Sequence, residues 1–230
     1  MLPAFFYITL FRCCLLAVPE VKVAGAMRLI MMDGDFTAHI DLDSLDKKNL
    51  YALGPVAGLK GELMVLDGRV YSTAKNGQHL DNRQNKISRA AMLVYSYVPR
   101  WKRVRVSATI ENYQDLERLL VSTAKSQGLD LSVPYAFKME GIPQRASYHV
   151  MDWQDWVVHA VAVHKQFAHN STVEEKNTTF LGFYSDQHHG IFTHHSTNMH
   201  VHVLEEGTNI VGHLEEINLK DKLNFYFPGQ

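Results

Sequence analysis

The apolar positions come in short runs broken by turn residues, which points to strands more than helices. Val21 to Met32 mixes apolar residues with Arg28 and reads as a strand or short helix leading into the domain. Residues 41–50 are polar, helix-like or loop. A glycine-rich bend, Gly54 to Gly61, feeds Glu62 to Leu66, the dipeptide Asp67-Gly68, and Arg69 to Thr73. Two apolar runs joined by Asp-Gly predict a β-hairpin, because both turn positions of a two-residue loop need positive φ. Ala90 to Val98 predicts an apolar strand, and Val104 to Ile110 alternates like a half-buried one. A helix then starts at Asn112, with Asp115 three residues on. Leu116, Leu119, Leu120 and Ala124 recur at helical spacing, and Gly128 stands where a helix ends in the left-handed conformation. Tyr135 to Met139 and Ala146 to Met151 read as strands paired with each other around Glu140-Gly141. Residues 156–166 fit helix or extended chain equally, and polar 165–177 predicts a loop. Thr178 to Tyr184, Met199 to Leu204 and Ile210 to Ile217 predict strands. Many strands and one clear helix predict an α+β domain built on largely antiparallel sheets.

Composition narrows this picture. The chain has 230 residues with 46% apolar and 20% charged, enough to bury a core. Lys+Arg is 23 against Asp+Glu 24, so a phosphate-coating role is excluded and no nucleic-acid partner is expected. The basic run Arg100 to Arg105 is then a solvated strand edge. Residues 1–25 form an N-terminal apolar segment ending in Ala24-Gly25, like a secretory signal, although Arg12 interrupts it. Its expectation is export to the periplasm or medium, with a cytoplasmic enzyme as the alternative. Both cysteines, Cys13 and Cys14, lie in it and cannot build a disulfide framework; without that segment the chain has no thiol for catalysis. No Walker loop or G-x-S-x-G elbow is present.

The chain carries 13 histidines, seven of them at 188, 189, 194, 195, 200, 202 and 213. In a strand His200 and His202 share a face. A hairpin folded about Gly207 brings His213 opposite His202 on that same face. Val201, Val203 and Val211 are expected on the opposite, core side. Three neutral imidazoles with an open position describe a catalytic zinc site; copper, nickel and iron also suit imidazole. His188, His189, His194 and His195 read as ordinary surface or core residues. For a carboxylate, Glu62 at the start of its strand is a candidate ligand or general base. Glu205, Glu206, Glu215 and Glu216 fall at hairpin ends, where solvated charge explains them. Trp153 and Trp156 read as packing residues that can also wall a pocket.

These segments resemble acetolactate decarboxylase. The likeness is carried by Gly54 to Gly68 (glycine-rich bend, Gly-Glu strand, Asp-Gly turn), by Tyr135 to Gly141, by Phe180 to Tyr184, and by His200-Val-His202 followed by Gly212-His213. It implies a domain over residues 26–230 with that family's fold. It implies zinc held by His200, His202 and His213, and conversion of the small-molecule substrate 2-acetolactate, a 2-hydroxy-3-oxo acid, to acetoin and carbon dioxide. The metal would chelate the substrate's hydroxyl and ketone oxygens. Glu62 matches the family's active-site glutamate. Two positions depart from the family. His149 stands where an arginine is expected to meet the substrate, with Arg145 nearby, and the family's C-terminal active-site glutamate has no counterpart before Gln230. A protonated His149 can bind a carboxylate or donate a proton. The altered substrate set keeps two rivals open on the same histidines: a zinc-dependent hydrolase of a small ester or lactone, and a non-catalytic exported metal-binding module. A homodimer is compatible with the sequence.

Overall fold

The structure is a computed structural model that describes residues 18–83 and 87–229. In chain order its elements begin with β1 (Val21–Ala24), β2 (Ile40–Asp41), β3 (Leu50–Pro55), β4 (Glu62–Leu66), β5 (Arg69–Asn76), β6 (His79–Asn82), β7 (Arg89–Ala90), β8 (Leu93–Tyr97) and β9 (Trp101–Ile110). They continue with α1 (Tyr113–Ser126), β10 (Tyr135–Gly141), β11 (Arg145–Met151), β12 (Ala168–Val173), β13 (Thr178–Tyr184), β14 (Met199–Glu205) and β15 (Ile210–Pro228). The apolar residues before 18, with both cysteines, lie outside the described residues; Val21–Ala24 is an edge strand of the fold.

Two large antiparallel sheets face each other, and β2 and β7 form a small third one. One runs β1-β8-β3-β4-β5-β6, the other β10-β13-β14-β15-β11-β12, with β9 on β15. β10 also pairs with β15, so the second sheet closes on itself through its longest strand. Alternation sorts the side chains. Leu63 and Val65 of β4 join Leu42 and Val56 on the outer side of the first sheet. Met64 points the other way, into a core between the sheets with Leu181, Phe183 and Leu204. The far face of the second sheet packs under α1 through Leu116, Leu120 and Ala124.

The helix forms as its sequence requires. The Asn112 side chain accepts from the Asp115 amide at 2.9 Å, and Gly128 (φ 81°) follows its C-terminus. The β4–β5 hairpin turns on Asp67 (φ 50°) and Gly68 (φ 78°), pairing Leu66 with Arg69.

Several expectations change. β10 and β11 do not pair with each other: both pair with β15, which at 19 residues is long enough to take them at different levels. β15 therefore runs well past Ile217. Exposed Lys220, Asp221 and Lys222 hid its continuation, since they occupy an outward-facing stretch between buried Leu219 and Leu223. The polar stretch after Lys165 contains β12, whose single buried residue is Val173; an edge strand needs little apolar content. Ala90 to Val98 splits into β7 and β8, which pair with different strands. Residues 161–167 make a 3₁₀ turn.

Candidate metal centre

His200 and His202 sit at alternate positions of β14, and His202 stands directly opposite His213 of β15, in the register the fold about Gly207 predicts. All three face the inter-sheet space. Val201 and Val203 point to the helix side as expected. Val211 does not: two residues before His213, it shares the His213 face and lies in the inter-sheet core with Leu204.

One ligand nitrogen from each of the three histidines lies within 4.8 Å of the others. His200 Nε2 and His213 Nδ1 are 3.0 Å apart. His202 Nδ1 is 2.9 Å from the Leu63 carbonyl oxygen on β4. A carbonyl only accepts, so Nδ1 carries the proton and Nε2 keeps the lone pair. That Nε2 is buried without a hydrogen-bond partner among the described residues, and Glu62 Oε2 lies 3.5 Å from it. Glu62 reaches it across the gap because its side chain alternates onto the same face as Met64.

Burial sets the protonation states. It pushes His200 down to about 4. It holds His202 and His213 well below the usual imidazole range, helped by the neighbouring imidazoles. Burial raises Glu62 to about 7, against the lowering effects of His149 and a hydrogen bond from the Met151 amide. The site thus offers three neutral imidazoles, an unpartnered basic nitrogen and an adjacent carboxyl group, a donor set that fits a divalent transition metal.

His149 stands beside this set, on β11. It pairs in register with His213, and the two rings stack at 4.8 Å and 25°. Its Nδ1 lies 2.6 Å from Glu215 Oε1. Burial would lower His149, but the Glu215 hydrogen bond and the charges of Glu62 and Glu215 raise it overall. Arg145 is not at the site. It lies four residues away along β11, roughly 13 Å by strand rise, on the exposed surface beside Glu174.

Glu215 is the site residue that sequence reasoning passed over as solvated charge. Its signal was the break in alternation: two successive acids stand between buried Leu214 and Ile217. The other clustered histidines bond locally. His188 meets Ser185 at 2.7 Å, His189 meets Asn198 at 2.8 Å and His194 meets Ser196 at 2.8 Å, in the loop leading to β14. Trp153 is buried against Phe36 and Phe167, whereas Trp156 is 80% exposed and walls nothing in this centre.

Fold and site together define a class: a two-sheet antiparallel domain with a candidate three-histidine metal centre between its sheets. The alpha-acetolactate decarboxylase family profile matches residues 25–227, and the chain belongs to that family. No curated protein matches it. Among solved structures it is similar to alpha-acetolactate decarboxylase from Bacillus subtilis strain 168. That match has 17% identity and a TM-score of 0.76, and covers 92% of this chain and 86% of that one. Acetolactate decarboxylase from Bacillus subtilis subspecies spizizenii gives 17% identity and a TM-score of 0.75, covering 92% and 87%. A Staphylococcus aureus protein of unknown function, similar to alpha-acetolactate decarboxylase, gives 16% and 0.72, covering 90% and 84%. At these identities the likeness concerns the fold, which is the antiparallel α+β architecture expected from the sequence.

Proposed function

We propose that this chain is a metal-dependent carboxy-lyase that converts 2-acetolactate to acetoin and carbon dioxide. The observation that carries the reading is the convergence of His200, His202 and His213 beside buried Glu62, in a chain of this family. The three histidines would hold zinc, or a related divalent metal, with the Leu63 carbonyl fixing the ring of His202. Bound there, zinc supplies a Lewis acid to the substrate's hydroxyl and ketone oxygens. When carbon dioxide leaves, the bonding pair stays on the adjoining carbon and its oxygen. Glu62, buried beside the histidines, delivers a proton from its carboxyl oxygen to complete acetoin and is reprotonated from solvent. His149 meets the substrate carboxylate as a cation in the position where the family places an arginine.

The test is elemental analysis of the purified protein with and without His200→Ala, followed by acetoin assay of the zinc-loaded protein on racemic acetolactate. Stoichiometric metal lost in the variant, with acetoin formed above the spontaneous rate, is the expected result; no metal in the wild type ends this reading. One observation favours a second reading, a zinc-dependent ester or lactone hydrolase: Arg145 is paired at the surface, so no arginine from this strand replaces the family's one. Ester hydrolysis abolished by His202→Ala would select it. Export and a homodimer remain part of the proposal, tested by N-terminal sequencing of the native protein and by light scattering. Among the described residues no helix is long and apolar enough to cross a membrane.

A further inference from the structure

We propose that Glu215 is a positioning residue: a bulge in β15 aims its carboxylate at His149 Nδ1, so that Nε2 is the nitrogen His149 offers to a ligand in the pocket. The identity of that ligand rests on the decarboxylase reading; the geometry does not.

The register locates the bulge. Ala146 pairs with Ile217 and Ser147 with Glu216, but Tyr148 pairs with Leu214 and His149 with His213, so Glu215 is an extra residue with no partner on β11. Its effect appears in the burial. Regular alternation would put Leu214 and Glu216 on one face; instead Leu214 and Ile217 are both buried, and Glu215 and Glu216 are both exposed. Bulges beside sites commonly re-aim one side chain in this way.

The two acids have separate partners. Glu216 Oε2 accepts from the Tyr113 amide at 3.0 Å and anchors the start of α1, which gives it a structural role. Glu215 makes no such anchor. Its Oε1 sits 2.6 Å from His149 Nδ1, at the short limit of a charge-assisted hydrogen bond. A carboxylate there makes Nδ1 the donor and fixes the rotation of the ring. Stacking on His213 fixes the ring plane. Two independent constraints on one imidazole, next to the convergent histidines, are more than packing requires. For metal-ligating histidines, partners that orient the ring are worth about 10–100-fold when removed, and the same scale is expected for an imidazole that faces the pocket.

The experiment uses zinc-loaded, ¹⁵N-histidine-labelled protein as wild type, Glu215→Gln and Glu215→Ala, with the His149 resonance assigned through its loss in His149→Phe. Glu215 is half exposed, so alanine opens no core cavity. Should that variant not fold, Glu215→Met keeps the length without an acceptor and carries the same expectation. The expected result is a hydrogen-bonded His149 Nδ1–H in wild type and Gln, lost in Ala. The kcat/KM on acetolactate should fall tenfold or more in Ala, mostly recover in Gln, and leave metal content unchanged. An unchanged Nδ1–H in the Ala variant, or equal kcat/KM for Ala and Gln, overturns the proposal. If wild type makes no acetoin the decarboxylase reading fails, and the resonance alone still decides the role of Glu215.

Discussion

Gly212 immediately precedes the ligand candidate His213, and the space beside it is already taken. A Cβ built there falls 2.1 Å from Tyr148 Cδ2, 3.0 Å from Tyr148 Cε2 and 2.9 Å from the His149 carbonyl oxygen. Gly212 has no left-handed φ, so alanine meets no backbone penalty. Replacing glycine by alanine stabilises by about 0.4–1 kcal/mol through the unfolded chain. Overpacking costs about 1–3 kcal/mol, and the upper end applies because one clashing atom is main chain and the ring is buried close to its root. Sterics win, and Gly212→Ala should lose about 2 kcal/mol. For a domain of this size that lowers Tm by about 4–8 °C. The strain falls on β11 and β15 where His149 stacks on His213, so metal retention should weaken more than in a variant of equal stability elsewhere. Calorimetry of the metal-loaded protein, and dialysis against a graded chelator series, measure both effects. A Tm within about 2 °C of wild type, with unaltered metal retention, refutes the claim that this close approach positions His213.

Other outcomes follow from the same structure. Phe137→Ala, in a fully buried position against Gly182, should cost about 3–5 kcal/mol in urea unfolding. Asn112→Ala removes the cap on the Asp115 amide and should cost about 1 kcal/mol, read as a lower urea midpoint at unchanged m-value. Zinc added to chelator-treated protein should raise stability with concentration, by about 2.7 kcal/mol at a hundred times Kd, and His202→Ala should abolish the rise in scanning calorimetry. Burial would raise Glu140, but hydrogen bonds from Lys138 and Tyr226 outweigh it and lower the group. A depressed folded pKa adds stability above the unfolded value and loses it as pH falls through the folded one. Glu140→Gln should therefore be less stable at pH 7 and show a shallower decline below about pH 4.5; an acid titration followed by circular dichroism compares the two slopes.

How much of this was legible depended on whether the signal was local. The Asp-Gly hairpin, the Asn112 cap and the facing of His200, His202 and His213 are each set within a few residues, and each appears where the periodicity predicts. What failed was long-range. Nothing local says that β10 and β11 will both seek β15, because their pairing depends on a strand over sixty residues downstream. Val211 resembles the valines of β14 in sequence, but its own strand period puts it on the His213 face. Glu215 reads as solvated charge because exposed acids at hairpin ends are ordinary. Only with β11 alongside does the doubled acid become a bulge. The role of the Leu63 carbonyl had no sequence signal, since every residue carries one.

Glu62 reaches the histidines only because β4 keeps its register. Its strand period puts Glu62 and Met64 between the sheets and Leu63 and Val65 outside them. A slip of one residue would exchange the two sets, burying a carboxylate in the outer core and moving the Leu63 carbonyl away from His202. The register is set five residues away, where Asp67 and Gly68 both hold positive φ. There a Cβ on Gly68 would fall 2.1 Å from the Lys47 carbonyl oxygen. A residue with a side chain at 68 therefore cannot hold this two-residue loop, and a longer loop would release the pairing of Leu66 with Arg69. The same Asp-Gly dipeptide that announces the hairpin in the sequence thus decides which face Glu62 occupies, and with it whether the three histidines have a carboxyl group beside them.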